Sequence, residues 1–289
     1  GIVFGGTLAF WLALRRAKGP YWAVLPVLML AANIKSNTFV LSLAAAGVIA
    51  ADLLLFGEKA APTENGLRRR ARFARRAAGA LGAFAAPLSI YYAWNVVHVA
   101  AVVRRSAAGG GLGDTTEQSL TQLAFGGLRL LLGLPAGAYY EERRARYQAM
   151  ESALVQAFFH RRVTMLGTGA ATAAFLLVLL AGALVCAPGR RSRVRAGVLW
   201  ALSALCFAAY QFMMLLSYAF VFNDVTGAGL VDYNRYFDSY YLGWFLFTLA
   251  LVCAVLQEAA PARRLLGSAA VLALCGLFWV CFLHYVGPE

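Results

Sequence analysis

Two cations stand where they could bind an anionic ligand. Lys35 lies in YWAVLPVLMLAANIKSNTFVLSLAAAGVIAADLLLF, residues 21–56, where the only other charged side chain is Asp52 near the far end. A cation at mid-membrane costs a few kcal/mol, so it persists there only by reaching an interface or by serving a site. The stretch is too long for one span of ~20 residues and suits two short ones. The spacing therefore predicts a helical hairpin with Asn33, Ile34, Lys35, Ser36 and Asn37 as its turn at the far membrane surface. That turn offers one ammonium, two amides and a hydroxyl, a set suited to an anionic ligand. The alternative is a lysine that snorkels and only marks the membrane edge. The second cation is Arg235, in FVFNDVTGAGLVDYNRYFDSYYLGW, residues 220–244, together with Asp224, Asp232 and Asp238. A planar guanidinium is the preferred partner of phosphate oxygens. Its alternative is a structural ion pair with these acids, and some of the aromatic residues would form an interfacial belt.

The elements that must position these residues follow from composition. The chain is 61% hydrophobic and only 13% charged, with a mean hydropathy of +0.67; soluble domains carry about 25% charge. The apolar segments are long and continuous, not the short alternating ones of a β-barrel. The expected fold is all-α and polytopic, a single transmembrane domain over residues 1–289 with about eight spans. These are placed at roughly 1–14, 21–33, 37–56, 79–102, 163–187, 197–222, 239–257 and 265–285. Four basic segments, 15–18, 59–76, 190–195 and 263–264, hold 16 of the 26 Lys and Arg, and nine of the 13 acids fall on the opposite side. All eight spans alternate correctly with the basic segments cytoplasmic. Merging residues 21–56 into one span would break the alternation, which supports an outward Lys35. The chain opens inside an apolar run at Gly1 without Met or a basic leader, so it is expected to be a fragment of a longer protein lacking its N-terminus.

The net charge of +13 is what the positive-inside rule predicts, and no nucleic-acid partner is expected. The run LRRRARFARR, residues 67–76, is expected to lie on anionic headgroups, so membrane lipids are partners. Cys186, Cys206, Cys253, Cys275 and Cys281 form no CxxC pair, and His98, His160 and His284 stand apart, so no metal site is legible. Phosphate-binding and nucleophile-elbow motifs are absent. No cofactor is evident.

The long outer loop, residues 104–162, should carry interfacial helices. LAFGGLRLLLGLP (123–135) is apolar, too short to span, and contains Arg129, and it reads as an interfacial or re-entrant helix. In YYEERRARYQAMESALVQAFFHRR (139–162), Tyr140, Tyr147, Met150, Leu154 and Phe158 share one helix face. That amphipathic helix is expected to lie on the membrane.

AANIKSNTFVLSL (31–43) resembles the short span ending in Ile-Lys, followed by a small residue and another span, of the GT-C superfamily of polytopic glycosyltransferases. LVDYNRYFDSYYLGW (230–244) resembles the late Arg-Tyr pair of that superfamily, and YYAWNVVHV (91–99) before an outer loop with interfacial helices is also similar. The resemblance spans most of the chain, but its motifs are loose. It implies a glycosyltransferase of the bacterial inner membrane that takes a sugar from a polyprenyl-phosphate carrier to a cell-envelope acceptor on the outer side. Lys35, Arg235 and Tyr236 would bind the carrier, and residues 104–162 would form a lid. A divalent metal is possible by the same resemblance. The family's catalytic carboxylate lies in the first outer loop, and Asp114, Asp224, Asp232 and Asp238 do not match it, so the catalytic residue is unknown and expected outside the fragment. A transporter or flippase of lipid-linked saccharides is the other class; the asymmetric loops and the lack of an inverted repeat argue for the enzyme.

Overall fold

A computed structural model describes residues 2–34, 36–57, 66–107, 120–164, 167–222 and 229–286, and these are helical nearly throughout. In chain order the elements are α1 (Ile2–Ala17), a 3₁₀ turn (Tyr21–Val24) leading into α2 (Leu25–Ile34), α3 (Ser36–Phe56), α4 (Gly66–Ala107), α5 (Leu120–Leu131), α6 (Ala138–Glu142) and α7 (Arg144–His160). Two short antiparallel strands follow, β1 (Arg162–Thr164) and β2 (Gly167–Thr168). Next come α8 (Gly169–Cys186), α9 (Arg190–Leu216) prolonged by a π-turn (Ser217–Val221), α10 (Tyr233–Glu258) and α11 (Pro261–Val286). Four helical stretches are long and apolar enough to cross a membrane: Thr38–Phe56, Gly169–Cys186, Arg190–Val221 and Tyr233–Glu258.

The arms of the expected hairpin, α2 and α3, pack on each other. The Ser42 hydroxyl donates to the Leu28 carbonyl at 2.7 Å, and these two residues are equidistant from position 35. The first helix ends at Ile34 and the second begins at Ser36. Lys35 itself lies outside the described residues.

The basic segments gather at one end of the bundle. The Arg191 guanidinium donates to the Gly57 carbonyl at 2.6 Å, and a Cβ on Gly57 would collide with the Arg76 guanidinium. Ser192 donates to Glu258 at 2.8 Å, and Arg264 caps the end of α10 by donating to the Gln257 carbonyl. This is the end that charge alternation assigns to the cytoplasm.

Two spans differ from expectation. The stretch at 79–102 is the middle of the 42-residue α4, about 63 Å long at 1.5 Å per residue. LRRRARFARR forms the first turns of that helix, because Ala and Arg are strong helix formers and nothing interrupts them, and most of its side chains are exposed. The span expected from 163 begins as a helix only at Gly169. Thr168 caps α8 with its hydroxyl accepting from the Ala171 amide at 3.2 Å, and β-branched Val163 and Thr164 pair as a strand before it.

The core is built around α10. Its Tyr233, Phe237, Tyr240, Tyr241, Trp244, Phe247 and Leu251 repeat at helical spacing and are buried. α1 crosses it where a Cβ on Gly5 would collide with the Gly243 carbonyl, so two glycines let the backbones touch. Phe4 stacks on Tyr240 with centroids 5.2 Å apart. Polar groups inside must find protein partners, since lipid supplies none: Trp244 Nε1 donates to Ser203 Oγ at 2.8 Å, and the Tyr240 hydroxyl donates to the Ser203 carbonyl at 3.1 Å.

Candidate functional site

The end of the molecule opposite the basic segments is assembled from α5–α7, the β-hairpin, the π-turn and the first turns of α10. Tyr140, Tyr147, Met150 and Leu154 are buried and Phe158 is half-buried, as their shared spacing predicts. They face the protein, not lipid, because α7 packs on α8, α9 and the π-turn. The helix expected over 139–162 is also broken at Arg143, whose φ of −103° and ψ of 7° separate α6 from α7.

Arginines hold this end together through main-chain carbonyls. Arg146 donates to the Phe222 carbonyl at 2.7 Å and to that of Tyr218 at 3.2 Å. A π-turn leaves carbonyls without regular helical partners, and Arg146 supplies donors to two of them from 72 residues or more away in sequence. Arg161 lies over the Tyr233 ring, 5.4 Å from its centroid, and Tyr218 donates to the Val231 carbonyl at 2.8 Å. In α6 the Glu141 carboxylate takes two bonds from Arg144, at 2.7 and 2.8 Å, and a third from the Ala136 amide at 3.0 Å. Arg144, then the amide, hold this carboxyl down at about 2. Burial, helped by Glu151, pushes the Tyr147 phenol up to about 12.

Arg235 sits in the first turn of α10, after Asp232 in the left-handed conformation at φ 60°. The buried face of α10 runs through Tyr233, Phe237 and Tyr240, so residue 235 falls on the other face. Its side chain is 72% exposed, and the nearest carboxylate oxygen, Asp232 Oδ2, is 3.8 Å away. That separation is an exposed ion pair without a hydrogen bond, and such pairs contribute little. The structural pairing weighed from the sequence is therefore present but weak. Tyr236 is half-buried; its ring stacks on Phe222 at 6.3 Å, and its carbonyl accepts from the Tyr210 hydroxyl at 3.2 Å. Arg235 and Tyr236 thus point to different surroundings, one to solvent and one into the π-turn. α1 and α9 each pack on both α3 and α10. Asp114 and Asp224, like Lys35, lie outside the described residues.

Sequence reasoning missed the most ordered ionic cluster, at the opposite end. Asp52 is fully buried. Its Oδ1 accepts from Arg195 Nε at 2.7 Å. Its Oδ2 accepts from a second Arg195 nitrogen at 3.0 Å, from Arg15 Nε at 3.1 Å and from Trp11 Nε1 at 3.0 Å. Arg15 also donates to the Tyr21 hydroxyl at 2.8 Å and to the Phe56 carbonyl at 3.0 Å. One carboxylate thereby ties α1, α3 and α9. The signal in the sequence was an acid four residues inside the end of an apolar run, which is costly unless paired. Four donors on a buried carboxylate make it a structural anion, not a base open to substrate.

Among the described residues no grouping of three His, Cys, Asp or Glu side chains could hold a metal ion. Four helices long and apolar enough to cross a membrane mark an integral membrane protein. No family model, curated protein or solved structure matches the chain.

Proposed function

We propose that this chain is part of a bacterial inner-membrane glycosyltransferase, with about eight spans, and that it binds a polyprenyl-phosphate-linked sugar at its outer end. The observation that carries this reading is Arg235: a guanidinium 72% exposed, with only a 3.8 Å ion pair to Asp232 among the described residues, at the aromatic-rich start of a membrane-spanning helix. It keeps its planar fork available for a phosphate group at the level where such a carrier presents one. Tyr236, beside it, stacks on Phe222 and anchors the turn that carries Arg235. Lys35, between α2 and α3 in the sequence, is the second cation of the reading. Cations near the carrier phosphate would stabilise the charge that develops as the glycosidic bond breaks. The resemblance of 31–43 and 230–244 to GT-C enzymes supplies the chemistry, and no residue is assigned as catalytic base.

The Asp52 cluster supports an enzyme over a transporter. A cycle that opened a path between α1, α3 and α9 at the basic end would have to break it.

The test compares binding of a polyprenyl monophosphate sugar by wild-type protein and by Arg235→Lys in detergent at matched thermal stability. Lysine keeps the charge and loses the fork, so the affinity is expected to fall at least tenfold. Equal affinity would return Arg235 to its pair with Asp232, and equal turnover by Lys35→Met would leave Lys35 as a marker of the membrane edge.

A further inference from the structure

We infer that α5 is a foot by which the outer assembly stands in the outer leaflet, its exposed face in contact with phospholipid. The helix has two distinct sides. Leu123, Gly126, Gly127 and Leu130 face the protein and are buried. A Cβ on Gly126 would collide with the Tyr140 ring, and one on Gly127 with the Leu216 side chain, so this side is clamped at backbone distance. The other side presents Phe125 at 70% exposure, Leu128 at 42% and Leu132 at 62%, at spacings that keep them on one face. Exposed Arg129 belongs to the same stripe.

The chain ends this helix deliberately. The Leu134 amide donates to the Arg129 carbonyl at 2.8 Å and the Gly133 amide to the Leu130 carbonyl at 3.0 Å, with Gly133 at φ 69°. This is a Schellman closure, which needs a residue free to adopt a positive φ. The turn leaves Leu134 exposed next to Leu132 and extends the apolar face.

Height in the membrane decides what covers that face. The contact of Gly127 is Leu216, which lies about 31 Å along the unbroken α9 from Arg195 at 1.5 Å per residue. Arg195 belongs to the ionic cluster at the basic end. A hydrocarbon core is about 30 Å thick, so α5 rests at the outer water–hydrocarbon boundary. Apolar side chains at that height enter the acyl zone, and an arginine among them reaches lipid phosphate with its aliphatic stem laid along the apolar surface. The occupant is the phospholipid of the outer leaflet. The inference is independent of the glycosyltransferase reading, since it holds for any protein with this outer assembly.

The test places a nitroxide at Phe125→Cys, Leu128→Cys and Leu132→Cys, one at a time, in protein lacking its native cysteines and held in nanodiscs of phosphatidylethanolamine and phosphatidylglycerol. All three labels should be more accessible to oxygen than to a polar nickel chelate, with depths on the order of 5–10 Å below the headgroup boundary. A label at Glu142→Cys should show the reverse. Preferential nickel access at 125, 128 and 132 would place the face in water and overturn the inference. Immobilised, dipolar-broadened spectra at all three would place a second copy there and overturn it as well. If Phe125→Cys fails to fold, the same outcomes are read at 128 and 132.

Discussion

Neutralising Asp52 is the sharpest test of how this bundle is held. Asp52→Asn keeps the shape and removes the charge. It leaves Arg15 and Arg195, with side chains only 11% and 23% exposed, without their counter-ion. Removing one partner of a buried pair costs about 3–5 kcal/mol because the remaining charge is stranded. That is a large share of a typical unfolding free energy of about 5–15 kcal/mol. The two arginines should not contribute equally. Arg195 makes two bonds to the carboxylate, at 2.7 and 3.0 Å, whereas Arg15 makes one at 3.1 Å and keeps Tyr21 and the Phe56 carbonyl when Asp52 is lost. Double-mutant cycles with Arg195→Met and Arg15→Met, read from unfolding in mild detergent, should therefore give a larger coupling for Asp52–Arg195 than for Asp52–Arg15. Contacting pairs couple by about 0.5–3 kcal/mol. The variant with all three changed should recover much of the loss, since apolar groups can replace a buried ionic cluster. An Asp52→Asn protein within about 0.5 kcal/mol of wild type, the scatter of ordinary surface substitutions, would refute the argument. So would equal coupling to both arginines.

Gly5→Ala should destabilise by about 1–3 kcal/mol or more, the cost of overpacking, because the new methyl meets the Gly243 carbonyl, a backbone atom that cannot rotate away; unchanged thermal stability would show that α1 and α10 are not in this close contact. The α6 turn should respond to acid. Glu141 has a folded pKa depressed to about 2 from 4.5, so its contribution is fully present above the ordinary carboxylate value and is lost as pH falls through about 2. A nitroxide at Ala138→Cys should become more mobile over that window, and Glu141→Gln should abolish the pH dependence.

Period and charge were enough to locate the helices. The apolar runs at 37–56, 197–222 and 239–257 coincide with the apolar stretches of α3, α9 and α10, and the buried stripe from Tyr140 to Leu154 was legible because helical spacing is a local property. The hairpin was legible for a related reason: an apolar run too long for one span and too short for two full ones has few ways to satisfy its backbone in lipid. What covers each stripe was not local. The face of α7 was expected to meet lipid, and it meets α8 and α9, because the sequence does not say which apolar surface comes closest in space. The basic run 67–76 was legible as positive charge, and that it opens the long helix α4 shows only in the structure.

The sequence by itself determined that this is a helical membrane protein, where the apolar stretches of α3, α9 and α10 lie, and which ends carry the positive charge. It also singled out Lys35 and Arg235 as cations out of place. Only the tertiary structure decided that Asp52 joins Arg15 and Arg195, residues 37 and 143 positions away, and that Arg146 serves the π-turn while Arg235 remains in solvent. A side chain's type sets what it can bond. Its partner is set by which helices cross, and crossings such as Gly5 against Gly243 depend on the fit of two surfaces that no single stretch of chain contains.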